Sequence, residues 1–197
     1  VNKISIEEIN LYTNIDLLIL ATPSSLRSEI LQNFAEFNLG SIYVEVPIAT
    51  SYAEWQKLKD FASSNKTKIF AGYNMRFHPG IQKLMNYDDS KFLSFRAVFG
   101  EFLPDLHKWE NYKLRYEAIK SLGGGPLLTS HHELDIAILL MGNVTSVNCI
   151  FRNTLLDTDA PDQAILNLIH SNGSVSNIDL NFFYKQYVRN INIATNK

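Results

Sequence analysis

Through the first third of the chain, apolar strand-like runs alternate with segments of helical period, and only a few residues separate them. "IDLLILA" (15–21) is continuously apolar, as a strand buried on both faces would be. In "LRSEILQNFAEFN" the residues Leu26, Ile30, Leu31, Phe34 and Phe37 recur at helical spacing. Pro23 suits the entry to that helix, Ser24 or Ser25 can cap it, and Gly40 stands where a helix end takes a left-handed residue. "IYVE" (42–45) reads as a second strand. "SYAEWQKLKDFASSN" (51–65) reads as an amphipathic helix, with Ser51 as cap and Glu54 placed for a capping box. "KIFAGYNMRF" (68–77) reads as a third strand with a polar exit. This alternation predicts α/β structure, a parallel sheet covered by helices. Ligands of such sheets bind beyond the carboxyl ends of the strands. Those ends carry Ala21, Thr22, Pro23 and Ser24, then Glu45, Val46 and Pro47, then Asn74 and Arg76.

After residue 78 the texture changes. "FLSFRAVFGEF" (92–102) alternates like a long strand, and 103–122 is rich in aromatic residues without one clear period. "GGGPLL" (123–128) breaks the chain before a helix over "ELDIAILLMG" (133–142). Strand-like segments follow at 144–153, 163–170 and 174–195, the last broken near Lys185, and Asn172-Gly173 is a hairpin signal. Residues 79–197 therefore read as an α+β domain with a largely antiparallel sheet, and 1–78 as the α/β domain before it.

Composition narrows the function classes. At 46% hydrophobic and 19% charged residues the chain can bury a core. A net charge of −2 without a long Lys/Arg run argues against a nucleic-acid-binding surface. "LLILA" (17–21) and "IAILLM" (136–141) are too short to span a bilayer, and no signal peptide is visible, so no membrane partner and a cytoplasmic location are expected. A single cysteine, Cys149, expected buried and inert in a strand, allows no internal disulfide and fits a reducing compartment.

The ordered set "ATPSSL", "VEVPIA", "GYNMRFHP", "LGGGPLL" and "HELD" resembles the glucose–fructose oxidoreductase / inositol dehydrogenase (Gfo/Idh/MocA) family. The resemblance implies an N-terminal Rossmann domain that binds NAD or NADP and a C-terminal domain that carries an open sheet and binds a sugar or cyclitol. It implies hydride transfer between a secondary alcohol carbon and the nicotinamide. It makes 1–78 a partial Rossmann domain, with the first strand and the Gly-rich pyrophosphate loop expected upstream, and it makes 79–197 incomplete at its C-terminus. An exposed open sheet needs covering, which predicts a homodimer or homotetramer built through it. The strand-end residues become candidate cofactor contacts, with Glu45 matching the carboxylate that meets the nicotinamide ribose. The family pattern at 45–47 is Glu-Lys-Pro, and here the lysine position is Val46, which can neither give nor take a proton. His132 aligns with the family's acid–base histidine, with Tyr112 or Tyr116 as a possible helper. Arg27 stands where a histidine often follows "TPxxL", and a cation there at the phosphate side is tolerable.

Blander readings stand beside these. His132 could simply start a helix, and His131 should diverge from it by about 100°. His132 and Asp135 share a helix face, but no third ligand is evident, so no metal site is expected. His107 and Trp109 read as packing or cleft-lining residues of a loop, and His78 as a hinge. Two functions remain. One is an NAD(P)-dependent oxidoreductase acting on a sugar, amino sugar or sugar nucleotide. The other is a catalytically silent relative that binds cofactor or sugar as a sensor or partner subunit.

Overall fold

The computed structural model describes residues 8, 14–87 and 92–196. The chain divides into two compact units, Val1–Gly72 and Tyr73–Lys197.

In the first unit, β1 (Asn14–Leu20), β2 (Asn38–Val44) and β3 (Lys68–Ala71) form a parallel sheet in the order β1-β2-β3. The connections carry α1 (Arg27–Gln32) and α2 (Tyr52–Ser64). Leu20, Leu31, Phe34, Phe37, Leu39, Ile42, Val44 and Leu58 make the core. Ser51 caps α2 by accepting from the Glu54 amide at 3.2 Å, and the Glu54 carboxylate accepts from the Thr50 amide at 2.8 Å. This is the expected capping box, closed one residue early.

Four local expectations are corrected. Helix α1 stops at Gln32; Phe34 and Phe37 still enter the core, but from turns, with their rings 5.6 Å apart. Neither Ser24 nor Ser25 caps it, because Pro23 is the N-terminal cap of a 3-10 turn over Ser24–Leu26. Gly40 lies inside β2, where an added Cβ would stand 2.6 Å from the Asp16 carbonyl oxygen, so its role is close strand approach. Among the described strands β1 is at a sheet edge, with Leu17 and Ile19 51% and 60% exposed, so its apolar run is not buried on both faces.

The second unit begins earlier than residue 78. Strand β3 ends at Ala71, and Asn74–Phe77 forms a 3-10 turn whose Met75 packs on the second core. His78 caps α3 (Pro79–Met85), its Nδ1 accepting from the Gly80 amide at 3.1 Å, so it is a cap and not a free hinge. β4 (Phe92–Phe102), α4 (Pro126–Thr129) and α5 (His132–Met141) follow, then β5 (Val144–Arg152), β6 (Gln163–His170), β7 (Val175–Asn181) and β8 (Phe183–Thr195). The five strands run β5-β6-β7-β4-β8, and only the β4–β7 pair is parallel. The break before β8 falls at Phe182, not near Lys185. One sheet face carries Phe95, Ala97, Phe99, Leu166, Leu168, Ile178 and Leu180, and α5 covers it with Ile136, Ala137 and Met141. Each such fully buried large side chain contributes about 1.5–3 kcal/mol. Cys149 is half-buried and free, and burial holds its thiol above the usual range.

The opposite face is polar in one row and apolar beside it. Asn148, Asn167, Asn177, Arg96 and Asn192 stand in register across all five strands. The next row holds Ile150, Ile165, Asp179, Val98 and Asn190. No helix among the described residues is long and apolar enough to cross a membrane.

Glu101 near the end of β4 gives the unit a pH-dependent element. Burial, and then the Glu117 carboxylate, hold its carboxyl above the usual range, against the opposing pull of Arg115, Arg189 and His107. The folded state thus binds this proton more tightly than the unfolded state, and stability falls as pH rises through the window between the two values. Glu101→Gln is expected to flatten that fall and to raise the melting temperature at neutral pH. Thermal melts from mildly acidic to neutral pH check this, and an unchanged slope would remove Glu101 from the account.

Candidate functional site

In the first unit the predicted residues gather at the carboxyl ends of β1 and β2. Past the end of β2 the Glu45 amide still donates to the Leu20 carbonyl at 3.0 Å, so Glu45 remains aligned with β1. Tyr43, two residues earlier, donates from its hydroxyl to Glu45 Oε1 at 3.3 Å. Burial and then the Glu45 carboxylate raise the Tyr43 phenol above its ordinary value. Gly72 closes this corner: an added Cβ would stand 2.5 Å from the Tyr43 hydroxyl oxygen and 3.2 Å from Glu45 Oε2. A larger residue here would require the Tyr43 hydroxyl to shift. Val46 follows Glu45, half-buried, and its peptide bond to Pro47 is cis.

Arg27 binds this corner from below. Its Nε and Nη2 donate to the Thr22 carbonyl at 3.0 and 2.8 Å, and its Nη1 donates to the carbonyls of Glu45 and Pro47. The side chain is buried. The guanidinium is turned onto backbone carbonyls. Ser24 is buried, Ala21 is exposed, and Thr22 and Pro23 lie between these limits. The hydroxyl oxygens of Thr22 and Ser25 are buried without a partner among the described residues. Such orphaned groups are rare unless a ligand or water meets them.

The second unit holds the remaining candidates. Asn74 and Arg76 lie in the 3-10 turn Asn74–Phe77, not in the unit that holds the other candidate cofactor contacts. Arg76 forks onto Asp135 of α5, Nε to Oδ2 at 2.8 Å and Nη2 to Oδ1 at 2.5 Å, and lies 4.9 Å over the Tyr73 ring. The Asp135 hydrogen bond raises the guanidinium above its ordinary value. Burial and then Asp135 do the same to the Tyr73 phenol. Asp135 is thus taken by Arg76 and is not presented with His132 as a ligand pair. No cluster of three metal-ligating side chains occurs among the described residues.

His132 is the first residue of α5, and His131 is its cap. Their rings stack at 5.6 Å and 15°, contrary to the divergence expected from helical geometry. The cap residue lies outside the helix, so the helical step between neighbours does not apply to it. His131 Nδ1 lies 3.0 Å from the Leu128 carbonyl oxygen, and Tyr73 meets its ring edge-on at 5.8 Å. Glu133 beside them is wholly buried and accepts from Arg189 Nε at 2.6 Å. The "GGG" segment is a close backbone turn, with the Gly124 and Gly125 amides donating to the carbonyls of Ile119 and Glu117. His107 stacks on Trp109 at 5.0 Å and lines an open cleft of about 530 Å³ with Glu110, Arg115, Tyr116 and Glu117.

Sequence reasoning missed Tyr43, Gly72, Glu133 and Arg189. Tyr43 was within reach, since residues two apart on a strand share a face. Gly72 and the Glu133–Arg189 pair leave no such signal, because the partners lie far apart in the chain.

Residues 4–73 match the oxidoreductase family with NAD-binding Rossmann fold known as Gfo/Idh/MocA. Over that stretch the chain carries this family's Rossmann pattern. Among curated relatives, the Escherichia coli (strain K12) 2,7-anhydro-N-acetylneuraminate hydratase is 30% identical over 135 residues, covering 66% of this chain and 34% of its own. Levoglucosan dehydrogenase in complex with NADH superposes with a TM-score of 0.80 at 22% identity, covering 93% of this chain and 52% of its own. The WlbA dehydrogenase from Bordetella pertussis, in complex with NADH and UDP-GlcNAcA, superposes at 0.83 with 20% identity, covering 98% of this chain and 57% of its own. The chain thus spans about a third of that curated relative and just over half of the two solved structures. The mixed, mostly antiparallel second sheet agrees with the open sheet expected from the family resemblance.

Proposed function

We propose that this chain is part of a cytoplasmic NAD(P)-dependent oxidoreductase acting on a sugar, amino sugar or sugar nucleotide. The observation that carries the reading is the family match over 4–73 together with the strand-end corner found there. That corner fits a dinucleotide. Glu45 presents a carboxylate suited to ribose hydroxyls, and the orphaned hydroxyls of Thr22 and Ser25 await donors or acceptors. In this reading Ala21, Thr22, Pro23, Ser24, Glu45, Val46 and Pro47 of the first unit contact the cofactor. Bound NAD(P) supplies the hydride acceptor. His132 takes the hydroxyl proton as the alcohol carbon gives up its hydride, leaving a ketone. The sugar class is supported by the relatives, whose names place them on levoglucosan, UDP-GlcNAcA and an anhydro-amino sugar.

The test is cofactor turnover by the purified protein across a sugar and sugar-nucleotide panel, with NAD and NADP in parallel. Because one relative is named a hydratase, the panel includes an anhydro sugar and product analysis reads water addition as well. Binding of NADH without turnover of any panel member would favour a silent relative, the reading that Val46 motivates.

The open sheet face takes a second copy of this chain in the same proposal. In it Ile150, Ile165 and Val98 of this face supply the apolar contact. Light scattering is expected to give a dimer or tetramer, and Ile150→Glu to shift it toward monomer. A monomeric mass for the unsubstituted protein would refute the interface.

A further inference from the structure

The proposed chemistry leaves Arg27 without a part, yet its side chain is only 4% exposed and grips three carbonyls from two strand ends. A guanidinium is a rigid planar fork with five donors, and an ammonium cannot match that pattern. Two of the carbonyls, those of Glu45 and Pro47, flank Val46, and the third belongs to Thr22 beyond β1. One side chain thus holds the backbone on both sides of residue 46 and ties it to the neighbouring strand end. The Glu45 carboxylate is held from its other side by the Tyr43 hydroxyl, in space that Gly72 leaves open.

We infer that Arg27 is a positioning residue that sets the Glu45 carboxylate for cofactor binding by tying the carbonyls of Glu45 and Pro47 to that of Thr22. This rests on the reading of the first unit as an NAD(P) site. A plain structural staple would stabilise the corner without acting through Glu45, and a double-mutant cycle separates the two roles. The measurement is NADH affinity by fluorescence titration, with folding of every variant checked by circular dichroism.

Arg27→Met is expected to weaken NADH binding about 10-fold, while in a Glu45→Ala background the same change moves affinity less than about twofold. Arg27→Lys keeps the charge and loses the fork, so it should behave like Arg27→Met, and it carries the cycle where Arg27→Met does not fold. Equal losses in both backgrounds, or full affinity in the lysine variant, would overturn the inference while leaving the cofactor reading in place. No NADH binding by the unsubstituted protein would overturn the cofactor reading, and the positioning role with it.

Discussion

His132→Ala is expected to lower turnover by about 10²- to 10⁴-fold, the usual loss when a general acid–base is removed. Where the family pattern has Glu-Lys-Pro, this chain has Glu45-Val46-Pro47, and an isopropyl group cannot share the proton. His132 is then the remaining candidate base from the sequence reading, at the first position of α5 with its ring stacked on His131. The His131 ring keeps its own approach to the Leu128 carbonyl, so truncating His132 leaves the cap's hydrogen-bond partner in place. The complement is Val46→Lys. Val46 is half-buried at a turn, so a longer side chain can leave without displacing the core. Steady-state kinetics on both variants check the assignment. A His132→Ala rate close to the unsubstituted one would move proton transfer to another group. An inactive protein made active by Val46→Lys would mark a chain that kept binding and lost catalysis.

Arg189→Met is expected to cost about 3–5 kcal/mol of stability, because it strands a carboxylate in the interior. Glu133 is 0% exposed, and its Oε1 accepts from Arg189 Nε at 2.6 Å, while Oε2 has no partner among the described residues. The arginine also lies 4.9 Å over the Phe99 ring and 3.7 Å from Met75 Sδ, contacts that methionine can partly replace. The loss therefore reports mainly on the unpaired charge. Urea unfolding measures it, and adding Glu133→Gln should return part of the loss by removing that charge. A cost below about 1 kcal/mol would class the pair with solvated surface bridges. Glu133 adjoins His132 on α5, so the same pair anchors the helix that carries the proposed base.

The local chemistry of the chain was largely readable in advance. Alternating strand and helix signals predicted the parallel sheet, the Ser51–Glu54 box predicted the start of α2, and Asn172-Gly173 predicted the β6–β7 hairpin. These features follow from neighbours within a few residues, whose periodicity and capping are set by backbone geometry. The family's motif order likewise placed Glu45 and Val46 at the end of β2. Tertiary structure decided what distant partners control. Gly40 serves the β1–β2 approach because the Asp16 carbonyl lies against it, although by spacing it reads as a helix end. Arg27 became a clamp because three carbonyls converge on it, and no local rule brings Thr22, Glu45 and Pro47 to one point. Arg76 met Asp135 across 59 residues, and Glu133 met Arg189 across 56. Burial makes such pairs stringent, since a charge withdrawn from water must find its partner wherever the chain supplies it.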